Sequence, residues 1–163
     1  MPLDSNLTIT ESSIGGFRLS EHINTYWDVV VKTYNRSEKN PNQLELYHTV
    51  CYTFEDLQVQ LAVDVRTGII YRITALSGYQ GTFLGSIGIG TAILDVLAMD
   101  LGFEYRDAED AFQTTLYRGV WLEQNIGDPL PEDYPDLKIE SITISDRDYI
   151  DLAEGHKPGW SLY

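Results

Sequence analysis

Apolar and polar positions along this chain follow two different periods, and each change of period marks an element. From Leu57 to Val65, the residues Leu57, Val59, Leu61, Val63 and Val65 alternate with Gln58, Gln60, Ala62 and Asp64. That is the two-residue period of a strand with one buried and one wetter face. Arg66-Thr67-Gly68 predicts a tight turn into a second strand over 69–76, so the pair reads as a hairpin, and a further strand is predicted over 45–54. Ahead of them, Ile23, Tyr26, Trp27, Val30, Val31 and Tyr34 recur at spacings of three and four, which predicts a helix over 21–34 with one apolar face. A polar stretch from Asn35 to Gln43, containing Pro41, joins the helix to the strands.

The same order returns in the second half. Ile93, Val96 and Leu97, joined by Leu94 and Leu101, predict a helix over 92–101 that stops at Gly102. Strands are predicted over 103–106, 111–117, 120–123 and 138–145, with Arg118-Gly119 as a turn comparable to Thr67-Gly68. Proline removes ladder donors, so Gly127 to Asp136, with Pro129, Pro131 and Pro135, reads as a long, exposed acidic loop. The two helix entries align at a constant offset of 70 residues: I14-G-G-F-R-L-S-E-H-I23 lies over L84-G-S-I-G-I-G-T-A-I93. Ser20 and Thr91 are the candidate N-caps. The expectation is an α+β fold, an antiparallel sheet with helices packed on one face, built from two related helix-plus-strands units over 13–76 and 83–145. Both units belong to a single compact domain over 1–163, with a Gly- and Pro-rich tail over 155–163 held by Trp160 and Tyr163. The other face of the sheet is expected to be available.

Composition narrows the setting. At 163 residues and 43% apolar content the chain can bury a real core. The apolar run from Ile87 to Leu101 is broken by Gly88, Gly90, Asp95 and Asp100, far short of the ~20 apolar residues of a membrane span. The opening MPLDSNLTIT has none of the features of a secretory signal, so a cytoplasmic location is expected. The single Cys51 lies in an apolar-aromatic, strand-like run and reads as a structural thiol. His48 is three residues away, which on a strand directs it to the opposite face.

Charge changes the picture most. The net charge is −14, which opposes binding to nucleic acid or anionic membrane. Residues 95–154 carry 16 acids against four bases (Arg106, Arg118, Lys138, Arg147), whereas residues 1–94 carry nine against six. Catalytic and cofactor patterns are weak beside this asymmetry. Gly85, Gly88 and Gly90 precede a helix but match neither nucleotide motif, and no lysine follows to hold a phosphate. His22, His48 and His156 lack the spacing of a metal pair, and no serine sits in a nucleophile turn. Asp146, Asp148 and Asp151 alternate as in a calcium loop but lack its central glycine and terminal glutamate. No cofactor, metal site or enzymatic activity is expected.

The acids fall into three clusters interleaved with aromatic residues. The first is Glu104, Tyr105, Asp107, Glu109 and Asp110, followed by Trp121; the second is Glu132, Asp133, Tyr134 and Asp136; the third is Asp146, Asp148, Tyr149 and Asp151. Aromatic anchors surrounded by carboxylates suit the binding of a basic protein partner, and these residues are the candidate partner-binding set. A small acidic chain of this kind resembles the immunity proteins of bacterial polymorphic-toxin and contact-dependent-inhibition systems, on its size, its charge and the segments Glu104–Asp110 and Glu132–Asp136. The paired entries I14-G-G-F-R-L-S and L84-G-S-I-G-I-G-T are similar to the tandem helix-plus-sheet units of the β-lactamase-inhibitor-protein-like fold, in which duplicated sheets present a concave surface to a protein target. The first resemblance implies an inhibitor of a cognate basic toxin domain, a nuclease being one candidate. Two alternatives stand beside it: a phage- or plasmid-borne DNA mimic that blocks a nuclease or regulator, and a small-ligand protein or enzyme using a pocket between helices and sheet. The oligomeric state is left open.

Overall fold

The computed structural model describes residues 2–33, 35–37, 46 and 48–163. Most of the polar stretch expected over 35–43 and the start of the strand expected at Glu45 lie outside the described residues.

A two-stranded hairpin comes first, β1 (Ser13–Ile14) with β2 (Phe17–Arg18). A 3-10 turn over Ile23–Tyr26 runs into helix α1 (Trp27–Thr33). A four-strand meander follows: β3 (Asn35–Ser37), β4 (Thr49–Phe54), β5 (Val59–Asp64) and β6 (Ile69–Ala75). The second half runs through helix α2 (Ile93–Ala98), then β7 (Glu104–Arg106), β8 (Ala111–Gln113), β9 (Val120–Gln124), a 3-10 turn over Pro131–Asp136, and β10 (Ile139–Ser145). Helix α3 (Arg147–Ala153) comes last.

Among the described residues the large sheet has eight strands in the order β3-β4-β5-β6-β10-β9-β8-β7, every neighbour antiparallel. The two meanders therefore meet through their last strands, β6 and β10, at the centre. Ile73 faces Ile144 and Ala75 faces Ile142 across this seam, while on the other side of the sheet Thr74 and Thr143 share a 2.9 Å hydroxyl hydrogen bond.

One face of the sheet carries the main core. Phe54, Val59, Leu61, Ile73, Phe112, Leu122, Ile142 and Ile144 pack there against Ile14 and Phe17 of the hairpin, Ile23 and Val30 of the first helical segment, and Ile93 and Val96 of α2. Each fully buried side chain of this size contributes roughly 1.5–3 kcal/mol. The apolar face expected for α1 is only partly used, since Trp27 and Val31 are exposed. The cause is the 3-10 first turn: three residues per turn instead of 3.6 shifts the phase, so Ile23, Tyr26 and Val30 point inward.

Both helix entries are anchored by strand backbone instead of by Ser20 or Thr91 as side-chain caps. In the first half Ile23 N donates to Gly68 O (2.8 Å), Ile70 N to Glu21 O (2.9 Å) and Ser20 N to Ile70 O (2.9 Å). In the second half Ile93 N donates to Leu137 O (2.9 Å), Ile139 N to Thr91 O (3.0 Å) and Gly90 N to Ile139 O (2.8 Å). Ser20 and Gly90, 70 residues apart, both have positive φ, as do Gly15 and Gly85.

The opposite sheet face is not left open. Helix α3 packs on it, with Ile150, Tyr149 and Ala153 against Leu46, Cys51, Ala62 and Tyr71 in a second, smaller core. The expectation that all helices share one face is thus corrected. A register shift between Ala62 and Val63 makes this core possible: Ala62 pairs with Arg72 but Val63 with Ile70, so the extra residue Tyr71 turns toward α3. The 127–136 segment is not strand, as the prolines require, but it is more ordered than a plain loop because Pro131 opens the 3-10 turn.

The turn at Arg118-Gly119 sets the approach of β9 to the end of β10. Gly119 has φ +87, and a Cβ there would lie 2.4 Å from the carbonyl oxygen of Ser145. Gly85 has φ +80 with nothing within 4 Å of a Cβ. Gly119→Ala is therefore expected to cost about 3 kcal/mol, from a clash with backbone added to left-handed strain, and Gly85→Ala only about 1 kcal/mol. Urea unfolding of the two variants measures both costs.

Candidate partner-binding surface

Strand register decides which acids meet. Phe54 pairs with Val59 and Val59 with Ala75, so the β4–β5 turn lies at the end of the sheet where β6 finishes. Ile142 opposite Ala75 and Ile139 opposite Gln124 put the start of β10 and the finish of β9 at the same end. Arg106 opposite Ala111 adds the β7–β8 turn. The first two predicted clusters thus converge, with Asp128 bonded to Asp110, and Glu55 and Asp56, which sequence reasoning did not single out, lie at the same end of the sheet but across β6, β10 and β9 from the β7–β8 turn. Asp107, Asp128, Glu132 and Asp136 are exposed there, as are Glu55 and Asp56, and Lys138 lies among them.

This end is braced from within. Asp110, with φ +49, accepts through one oxygen, Oδ1, from Tyr105 Oη (2.6 Å), Gln124 Nε2 (2.7 Å) and the backbone N of Asp128 (3.0 Å). Burial first, then the bond to Asp110 and the charges of Asp110, Asp128 and Asp107, push the Tyr105 phenol above its ordinary pKa, which keeps it a donor. Phe112 sits between Tyr105 (ring centroids 5.5 Å apart) and Tyr134 (5.7 Å, edge to face), joining the two acidic segments through an aromatic cluster. Asp133 Oδ2 accepts from Leu130 N at 2.8 Å and so closes the 3-10 turn. Tyr105, Tyr134, Asp110 and Asp133 thus work largely as supports, and Leu130, 56% exposed, is the apolar side chain this end offers to solvent.

The remaining predicted residues lie elsewhere. Glu109 is half-buried beside the turn, and Glu104 on the edge strand pairs with Arg106 (3.2 Å) and accepts from the Tyr163 hydroxyl (2.6 Å). Trp121 is only 3% exposed and projects from the face that α3 covers. The third cluster lies at the far end of β10 and is engaged in fixing α3. Asp146 caps the helix by accepting from Tyr149 N (3.0 Å) and also takes the Ser20 hydroxyl. Arg118 bridges exposed Asp148 (2.9 Å) and buried Asp151 (2.7 Å). The Tyr149 hydroxyl donates to Asp64 Oδ2 (2.9 Å), its ring stacks on Tyr71, and Arg66 grips Asp64 through Nε (3.1 Å) and a terminal nitrogen (3.0 Å).

Among the described residues no group of His, Cys, Asp and Glu is arranged to hold a metal ion, and no helix is long and apolar enough to cross a membrane. No protein-family model, curated protein or solved structure matches the chain.

Two stability predictions follow from these networks. Asp110→Ala strands three donors and is expected to cost about 2–3 kcal/mol, against less than about 0.5 kcal/mol for Asp107→Asn, both read by chemical denaturation. Asp64 is 1% exposed; burial alone raises its pKa, but the bonds from the Arg66 side chain and backbone and from Tyr149 outweigh it and hold the pKa below 3.8. That stabilisation is present above pH 3.8 and disappears as the pH falls through the lower folded-state value. The stability gap between wild type and Asp64→Asn should accordingly be full at neutral pH and shrink in acid, as measured by melting temperature against pH.

Proposed function

We infer that the protein is a binding protein that neutralises a basic protein partner, in the manner of an immunity protein covering a toxin domain, and that its working surface is the acidic end of the sheet. The observation that carries this reading is the convergence of the β7–β8 turn and the 3-10 segment, from separate parts of the chain, which brings exposed carboxylates together on a braced support, with those of the β4–β5 turn farther along the same end of the sheet. A nuclease-like partner is basic where it binds nucleic acid, because phosphate neutralisation demands Lys and Arg. Carboxylates held in a fixed array imitate that phosphate pattern, raise the rate of encounter and penalise misaligned docking. Leu130 and the exposed edge of Tyr134 supply apolar contact at the centre of the acids, where desolvated anchors count most. The recurrence of the helix-entry hydrogen bonds and of positive φ at a 70-residue offset supports a further reading, that the two helix-plus-meander halves derive from one duplicated unit.

The test takes the product of the adjacent gene as candidate partner and follows association by stopped flow. The on-rate is expected to fall at least about ten-fold between about 50 and about 300 mM NaCl. The triple variant Asp107→Lys, Glu132→Lys, Asp136→Lys should lose most of the low-salt rate with its melting temperature little changed. An on-rate indifferent both to salt and to this reversal would sink the proposal.

A further inference from the structure

On the sheet face under α3 lies a cleft of about 400 Å³, floored by β8 and β9 and walled by α3 and residues 160–163. Its floor is unusual in its hydrogen bonding. Gln113 and Trp121 are direct cross-strand partners, 1% and 3% exposed, and both line the cleft. Among the described residues Gln113 Nε2 and Trp121 Nε1 have no hydrogen-bond partner, and neither has Nε of Arg147, which lines the same cleft. All three atoms are N–H donors, and an unsatisfied buried donor costs about 1–3 kcal/mol.

The charges point the same way. Arg118 takes both Asp148 and Asp151. Among the described residues no carboxylate lies within ion-pair distance of Arg147, and burial pulls its pKa below the ordinary value, the mark of a desolvated cation. Arg106 is a second cation in the lining, held over the Tyr163 ring at 3.9 Å and already paired with Glu104 at 3.2 Å. The two arginines of the lining are matched in number by Glu109 and Glu154, so what distinguishes the cleft in a chain of net charge −14 is its three unpartnered donors, one of them on Arg147. Glu109 and Glu154 also line the cleft and disfavour a doubly charged guest. Trp160 and Leu162 provide an apolar wall.

We propose that this cleft binds a small organic monocarboxylate, its carboxylate oxygens accepting from Gln113, Trp121 and Arg147 and its apolar body lying against Trp160 and Leu162. The volume suits a compact aryl or short alkyl acid. A carboxylate brings only acceptors and so matches the three unpartnered N–H donors. The cleft shares Arg106 and Glu109 with the β7–β8 turn, but its three unpartnered donors lie outside the acidic end, so the proposal does not rest on the basic partner.

The test is an NMR titration of the intact protein with benzoate and hexanoate, with benzamide and inorganic phosphate as comparison arms. The indole N–H signals of Trp27, Trp121 and Trp160 are assigned by single Phe substitutions. A saturable downfield shift of the Trp121 indole proton is expected with the carboxylates, at millimolar affinity or better, with benzamide and phosphate at least about ten-fold weaker. Arg147→Met and, independently, Gln113→Leu should each weaken benzoate at least about ten-fold. The wild-type titration alone decides the matter if either variant fails to fold. No shift of Trp121 with either acid up to about 20 mM means a water-filled cleft and overturns the proposal; equal binding of benzamide, or tighter binding of phosphate, overturns the assigned chemistry.

Discussion

Antiparallel pairing of β6 with β10 joins two four-strand meanders, each of which would otherwise expose a long apolar edge. Everything else depends on that seam. Ile73, Ala75, Ile142 and Ile144 lie at the centre of the core because of it, and the hairpin and both helical segments find a continuous surface to cover. The helix entries reinforce the arrangement, since each hydrogen-bonds directly to the beginning of one seam strand, the first at Ile69–Ile70 and the second at Lys138–Ile139. The same pairing sets the direction in which every turn points, and hence which charges are neighbours.

The acidity of the chain divides into two kinds under this frame. At one end, carboxylates of the β7–β8 turn and the 3-10 segment face solvent side by side over Asp110 and the Phe112 aromatic cluster, and those of the β4–β5 turn extend the acidic edge farther along the sheet. Around α3, by contrast, Asp64, Asp146 and Asp151 are matched to Arg66, Tyr149, Ser20 and Arg118. Like charges that look equivalent along the chain therefore do opposite work: one set faces solvent, and the other bolts a helix to the sheet.

Much of the fold is legible from local pattern. The alternation in 57–65, the turn glycines at 68 and 119, the Ile-rich run at 139–145 and the two helix entries all carry their structure in adjacent residues. Helix α3 does not. Its stretch D146-R-D-Y-I-D-L-A-E-G155 shows few apolar positions and reads as one more acidic cluster, although the Asp146 cap and the glycine stop at Gly155 are both present. Missing that helix removed the second core and the cleft with it, and left Trp121 looking like a surface anchor when it is buried. The convergence of Asp107 and Glu132 was equally out of reach, because register between strands far apart in sequence is not written in any single segment.

The central position of β10 has a consequence for how the chain is made. Synthesis proceeds from the N-terminus, so β6 is complete about 65 residues before β10 emerges. Until then the nascent first meander displays β6, with Ile69, Ile70 and Ile73, as an unpaired edge of the kind that recruits other strands. The last strand of the second half thus covers an edge that the first half has no strand of its own to cover, and the interval between their appearances on the ribosome is the time for which that edge stays open.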